Sequence, residues 1–157
     1  MSRKRILFVC TGNICRSPTA DGVARHWIAR LGLGGEIEVD SAGTHGYHAG
    51  ERPDPRTCKA ASRRGYELGK LRARRLVRED FERFDLLLAM DEGHLAIMRE
   101  ICPPHLAHKL QRFMDYAREH EGTEVPDPYY GGERGFDVVL DLVEDGVRGL
   151  LDSLTGH

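Results

Sequence analysis

Cys10 and Arg16 flank a five-residue turn in the run VCTGNICRSPTA (residues 9–20), with Gly12 and Asn13 inside it and a second cysteine, Cys15, beside the arginine. Three chemistries use such residues: half of a metal site, a redox pair, or a cradle for an anion with a nucleophile at its floor. Cys10 and Cys15 supply two thiolates, but structural zinc usually wants a second nearby Cys/His pair. Cys58 and Cys102 are isolated, and His45 and His48 have no matching partner. No metal and no cofactor is expected. A Walker-type loop is excluded because the Lys-Ser/Thr that follows its last glycine is absent.

The cradle fits the residue types. A loop between a strand and a helix N-terminus turns several backbone N–H groups inward, and the helix dipole adds partial positive charge. Gly12 and Asn13 tolerate the left-handed backbone that so tight a loop requires. Arg16 brings a planar fork able to grip two oxygens of one phosphate. Thr11, Gly12, Asn13, Ile14, Cys15 and Arg16 would wrap the anion, and Cys10 at the floor would be the nucleophile, since a thiolate facing phosphorus is an activated one. Transfer of a phosphoryl group to sulfur also needs a proton donor for the leaving oxygen. VPDPYYGG supplies Asp127, set between two prolines in a long polar loop with two tyrosines and two glycines after it. Loops of that length are usually functional or disordered.

The elements that must position these groups are legible. RILFV (5–9) reads as a short buried strand. The next helix is expected to begin after Ser17, an N-cap residue, with Pro18 at its first position. Its apolar face would be Ala20, Val23, Ala24, Trp27, Ile28 and Leu31. EIEVDSAG is a second strand, residues 55–64 a helix, FDLLLAM a third strand, DEGHLAIMREI a helix, and HKLQRFM a weaker fourth strand. In the last helix Phe136, Val139, Leu140, Val143, Val147, Leu150, Leu151 and Leu154 form one stripe. Strands alternating with helices predict an α/β fold, a single three-layer domain over residues 1–157. It would hold a short four-stranded parallel sheet with helices on both faces and a phosphate-binding loop after the first strand. Ligands in such sheets bind beyond the carboxyl ends of the strands, where Cys10 lies.

The bulk composition is consistent with this. With 157 residues, 40% hydrophobic and 31% charged, the chain reads as a globular protein able to fold without disulfides or metal. Its formal charge of -2 gives no nucleic-acid signature. The apolar run after MSRKR stops at Cys10, too short for a signal peptide or a membrane span. Four scattered cysteines suit a reducing compartment, so a cytoplasmic monomer with no membrane insertion is expected. Between Arg56 and Arg78 basic residues far outnumber acids, either as a solvated face or as a flank that attracts acidic phosphopeptides.

FVCTGNICRSPTA, DSAGT, PDPR, ARRLVREDFERFDLLLAMDE and VPDPYYGG occur in the order found in the low-molecular-weight protein tyrosine phosphatases, and the chain resembles that family over nearly its whole length. The resemblance implies hydrolysis of phosphotyrosine-containing proteins through a phosphocysteine. Cys10 would be the nucleophile, Arg16 the phosphate clamp and Asp127 the general acid and later base. Ser17 would hydrogen-bond the Cys10 sulfur, a role that competes with helix capping for one oxygen. Asn13 and Ser41 would brace the loop, with Asp91 a supporting acceptor. Tyr47, Tyr129 and Tyr130 would wall the cleft. Cys15 would capture an oxidised Cys10 as a disulfide, or else simply pack. The family often carries a histidine that buttresses the loop asparagine; Leu71 stands there instead. A thioredoxin-coupled arsenate reductase shares the loop but needs two further thiols close in sequence, which Cys58 and Cys102 are not. In the phosphoarginine branch a threonine occupies the position of Ile14, and the apolar residue favours a tyrosyl substrate. A non-catalytic phosphotyrosine-binding module would lack Cys10 or Asp127.

Overall fold

A computed structural model describes residues 3–120, 122–128 and 132–156. Four strands, β1 (Lys4–Cys10), β2 (Ile37–Gly43), β3 (Leu86–Ala89) and β4 (Leu110–Arg112), form one parallel sheet in the order β2-β1-β3-β4. β1 therefore has a strand on each side, and side-chain alternation sends its residues to two cores. Ile6, Phe8 and Cys10 face one; Leu7 and Val9 face the other.

Helices α1 (Arg16–Arg30), α2 (Pro55–Arg63) and α5 (Gly132–Thr155) cover the first face, and α3 (Asp80–Arg83) and α4 (Glu92–Ile101) cover the second. This is the expected three-layer arrangement. The predicted stripe of α5 is buried from Phe136 to Leu151, with Leu154 at its edge. Two helical glycines let α5 approach closely: a methyl at Gly146 would enter the Phe113 ring, and one at Gly149 would strike the Tyr116 carbonyl. Phe113 in turn packs edge-on against Phe8 of β1, with centroids 5.5 Å apart.

β2 is an outer strand whose free edge is blunted. Arg25 donates to the Val39 carbonyl at 3.0 Å, the Ser41 N–H turns to its neighbour Asp40 at 2.8 Å, and the Gly43 N–H is taken by the Arg74 carbonyl. Such capping removes the groups a foreign strand would pair with.

Two expectations need correction. α1 starts at Arg16, two residues before the expected boundary, and Ser17 does not cap it; Cys15 holds the cap position without a side-chain bond. Pro18 is tolerated there because the first helical N–H groups have no intrahelical partner in any case. Trp27 and Leu31, expected in the apolar face, are exposed at 38% and 58%. Both line a cleft with Val147, Leu151 and Asp152 of α5, at the rim of the contact between the two helices. The one-turn helix α3 and two 3₁₀ turns, Pro104–Lys109 and Phe113–Tyr116, had no sequence counterpart. No helix among the described residues is long and apolar enough to cross a membrane.

Candidate active site

β1 delivers Cys10 opposite Gly43 at the carboxyl end of the sheet, and residues 11–15 turn back over the strand ends. The turn is fixed from β2's side: Thr44 N–H donates to the Cys10 carbonyl at 2.8 Å and His45 N–H to that of Thr11 at 3.0 Å. A Cβ on Gly43 would sit 2.6 Å from the Thr11 carbonyl oxygen, so only glycine allows this approach. Asn13 is left-handed, with φ of 59°, and its own side chain holds it there. Its amide donates to Ser17 Oγ at 2.8 Å, and its carbonyl accepts the Arg74 N–H at 3.0 Å. Leu71 packs at the margin of the core, and the Arg74 backbone buttresses the asparagine.

Cys10 Sγ lies 2.9 Å from Ser17 Oγ. That oxygen accepts from Asn13, and its proton has the sulfur at 2.9 Å and, more distantly, the Ala42 carbonyl at 3.5 Å as acceptors. The side chain reaches back into the loop rather than across the helix end, which settles the competition between capping and sulfur. α1 has no acidic residue in its first turn, so nothing cancels the positive end of its dipole beneath the loop.

Arg16, 6% exposed, is held on three sides. Nη1 donates to Asp91 Oδ2 at 2.9 Å and to the Val125 carbonyl at 3.1 Å, and Nη2 lies 3.3 Å from His94 Nε2. A guanidinium has five N–H groups. Three are thus committed, and no described residue accepts from the Nε–H. The Nε–H and the second Nη2–H remain as a side-on pair for two phosphate oxygens. Asp91 also caps α4, accepting the His94 N–H at 2.8 Å. Burial pushes its pKa up, but that N–H, the His94 ring and the Arg16 charge outweigh burial and hold it below the ordinary carboxylate value.

These groups surround a pocket of about 120 Å³ lined by Cys10, Thr11, Gly12, Ile14, Cys15, Arg16, Tyr47, His48 and Asp127. Asp127 is exposed, between two anchors. Val125 is buried and tied to Arg16, and Pro128 packs on Gly135 of α5, where a Cβ would meet the Pro128 oxygen at 2.9 Å. Tyr47, 73% exposed, stacks on His45 with ring centroids 5.0 Å apart. Tyr129 and Tyr130 lie outside the described residues. Ser41 is buried in β2 near the Asp21 carboxyl and makes no hydrogen bond to Asn13. Cys15 is buried, and burial pushes its thiol up to about 12, so it is a neutral thiol at ordinary pH. A larger cleft of about 440 Å³ runs beside β2 at the other end of the sheet. It holds no nucleophile, and its Arg5 and Arg25 are paired with Glu38 and Asp21.

The sequence reading passed over three contributors. His48 lines the pocket and stands 2.9 Å from Glu51. The Val125 carbonyl carries no sequence signal, being a main-chain group. His94 carried one: it stands three residues after the helix-capping Asp91, on the turn that points back at the strand ends.

Residues 5–157 match the family model described as low molecular weight phosphotyrosine protein phosphatase. A low molecular weight protein-tyrosine-phosphatase of Streptomyces coelicolor is 45% identical over 150 residues, covering 94% of this chain and 91% of its own. The low molecular weight phosphotyrosine protein phosphatase of Schizosaccharomyces pombe is 41% identical over 142 residues, covering 89% and 90%. Among solved structures, a protein tyrosine phosphatase from Entamoeba histolytica superposes with a TM-score of 0.93 at 40% identity, over 98% of this chain and 97% of that one. With the pocket, the sheet order and a match across the whole fold in agreement, the chain belongs to the low molecular weight phosphotyrosine protein phosphatase family.

Proposed function

We propose that this protein hydrolyses phosphotyrosine monoesters on proteins in two steps at Cys10. The Cys10 thiolate attacks phosphorus, the bond from phosphorus to the aryl oxygen breaks, and Asp127 gives that oxygen its proton. Water then attacks the phosphocysteine and passes a proton to Asp127. The sulfur–phosphorus bond breaks, and the Ser17 hydroxyl stabilises the departing thiolate. Backbone N–H groups of residues 11–16 and the side-on pair of Arg16 hold the phosphate oxygens, whose charge distribution changes most in the transition state. No step requires a metal. Tyr47, stacked on His45, offers one wall to an aromatic ring, and the apolar Ile14 lining the same pocket suits a tyrosyl group. The reading places the enzyme in the cytoplasm as a monomer.

The observation that carries this is one pocket lined by Cys10, Arg16 and Asp127, with the buried Ser17 2.9 Å behind the Cys10 sulfur. Two variants test it against an aryl phosphate and a phosphotyrosine peptide. Cys10→Ser should abolish turnover, because a hydroxyl scarcely ionises even here. Asp127→Ala should lower kcat on phosphotyrosine by about 10² to 10⁴, the usual worth of a general acid. It should slow the phosphorylation step far less when the phenol is strongly acidic. Turnover by Cys10→Ser above background, or equal losses on both substrates for Asp127→Ala, would refute the assignment.

A further inference from the structure

His94 is a buried histidine that this mechanism does not use. It is 3% exposed, yet each ring nitrogen faces a functional group. Nε2 lies 2.8 Å from Thr11 Oγ1 and 3.3 Å from Arg16 Nη2. Nδ1 lies 3.1 Å from Asp91 Oδ1, too far out of line for a hydrogen bond, and that oxygen takes the His94 backbone N–H.

The neighbours settle the tautomer. A guanidinium only donates, so a nitrogen paired with Arg16 must carry a lone pair. Nε2 is then the acceptor, the Thr11 hydroxyl also donates to it, and the ring proton sits on Nδ1 beside the Asp91 carboxylate. Asp91 thus holds Arg16 directly through Oδ2, while its Oδ1 faces the imidazole.

We propose that His94 is a positioning residue for phosphoryl transfer. As the neutral Nδ1–H tautomer it takes the inner Nη2–H of Arg16 and the Thr11 hydroxyl, so that the guanidinium presents its Nε–H and outer Nη2–H to the phosphate. Without it, Nη1 alone would fix the fork, through Asp91 and Val125, and the plane could swing about that end. The groups facing the ring act on its charge in both directions. Burial disfavours a charged ring most, followed by Arg16, with His45 adding a little; Asp91 and Asp127 oppose them. The balance lowers the His94 pKa to about 4, which keeps the acceptor lone pair available through neutral pH.

The inference rests on the phosphatase reading, and hydrolysis of an aryl phosphate by the wild type tests that reading alone before any variant is compared. Leucine and phenylalanine remove the acceptor, whereas glutamine returns a carbonyl oxygen near the place of Nε2. His94→Leu or His94→Phe should lower kcat/KM by about 10- to 100-fold, the worth of one hydrogen bond to a charged group, with most of the loss in kcat. His94→Gln should recover to within about threefold of wild type, at the lower edge of that single-bond range. The separating measurement is a double-mutant cycle. In an Arg16→Lys background the same His94 substitution should cost under about threefold, because the group it acts through is gone. A full, additive loss there, or a glutamine variant as poor as leucine, would overturn the proposal. Should the apolar variants fail to fold, nitrogen-15 NMR of the wild-type histidine rings still decides. A protonated Nδ1 and a bare Nε2 at neutral pH are expected, and the opposite tautomer would overturn the assignment.

Discussion

At the scale of single residues, the geometry around Arg16 makes lysine a poor substitute. A lysine ammonium is a point charge: it cannot offer a parallel pair of donors to phosphate while also holding Asp91 and the Val125 carbonyl. Arg16→Lys should therefore lose at least ~100-fold in kcat/KM, roughly 2.7 kcal/mol of transition-state stabilisation. A loss under about tenfold would show that the backbone N–H groups and the helix end carry the site without the fork. Cys15 poses a different question. It lines the same pocket as Cys10, but burial and the charges of Cys10 and Asp127 among others keep it protonated. Oxidation of Cys10 to the neutral sulfenic acid would remove one of those charges and supply the electrophile that Cys15 attacks, giving a disulfide and water. Peroxide should then inactivate wild type reversibly and Cys15→Ser permanently, and equal rescue of both by dithiothreitol would leave Cys15 a packing residue. Cys10, Asn13, Arg16 and Ser17 were legible because they lie within one short run of the sequence. The Val125 carbonyl was not, being a main-chain group 109 positions from Arg16, and the signal that His94 carried was passed over.

Among the elements, the segment carrying Asp127 and helix α5 meet at a single tight point. Pro128 lies on Gly135, and a methyl there would come within 2.9 Å of a backbone oxygen that cannot swing aside. Gly135→Ala should displace the acid while leaving the floor of the pocket alone. We expect kcat on phosphotyrosine to fall by about tenfold, at the low end of what a general acid is worth, with little change on an activated aryl phosphate. Equal effects on the two substrates would mean the strain spreads to the loop around Cys10. Hydrophobic periodicity found α5 because a long stripe is buried along nearly all its length. The same rule misplaced Trp27 and Leu31, because periodicity reports a face and not which of its residues end up at the rim of the contact with α5. The start of α1 was read late since Ser-Pro fits a helix cap as well as it fits a serine turned toward sulfur.

Over the whole molecule, His94 and Asp145 contribute to the response of stability to acid in separate windows. His94 binds its proton only near pH 4 when folded, against an ordinary value of 6.5. Between those values the unfolded chain holds a proton that the folded chain lacks, so stability falls as pH drops from 6.5 toward 4. Asp145 works lower down. It accepts the N–H groups of Arg118, Glu119 and His120 and the His120 ring, pinning that segment to α5. Burial raises its pKa, but those donors outweigh burial and hold it below the ordinary value, so its stabilisation is present above about pH 4 and disappears as pH falls through its folded value. Urea unfolding should show both slopes in the wild type. His94→Gln should remove most of the upper slope, and Asp145→Asn should lessen the lower slope, to which Asp91 also contributes, while leaving the upper one; an upper slope lost in Asp145→Asn would show the two ends of the molecule to be coupled. The sheet order, by contrast, was legible only as a class. Alternating strands and helices require parallel pairing, but β1 gains its central place from burial on both faces, which the short run RILFV shares with FDLLLAM.

The Val125 carbonyl that holds Arg16 also bears on how the protein is made. Residues 10 to 16 leave the ribosome before the residues that seat them, with the nucleophile and its clamp already present in the chain. Asn13 has no buttress until Arg74 has been added, and the guanidinium has no seat until residues 91 to 125 follow. The reactive centre is therefore completed only once the chain has been extended past Val125 and Asp127. A chain cut short before that point carries Cys10 as an ordinary cysteine, unable to act on a cell's phosphoproteins before the fold that governs it exists.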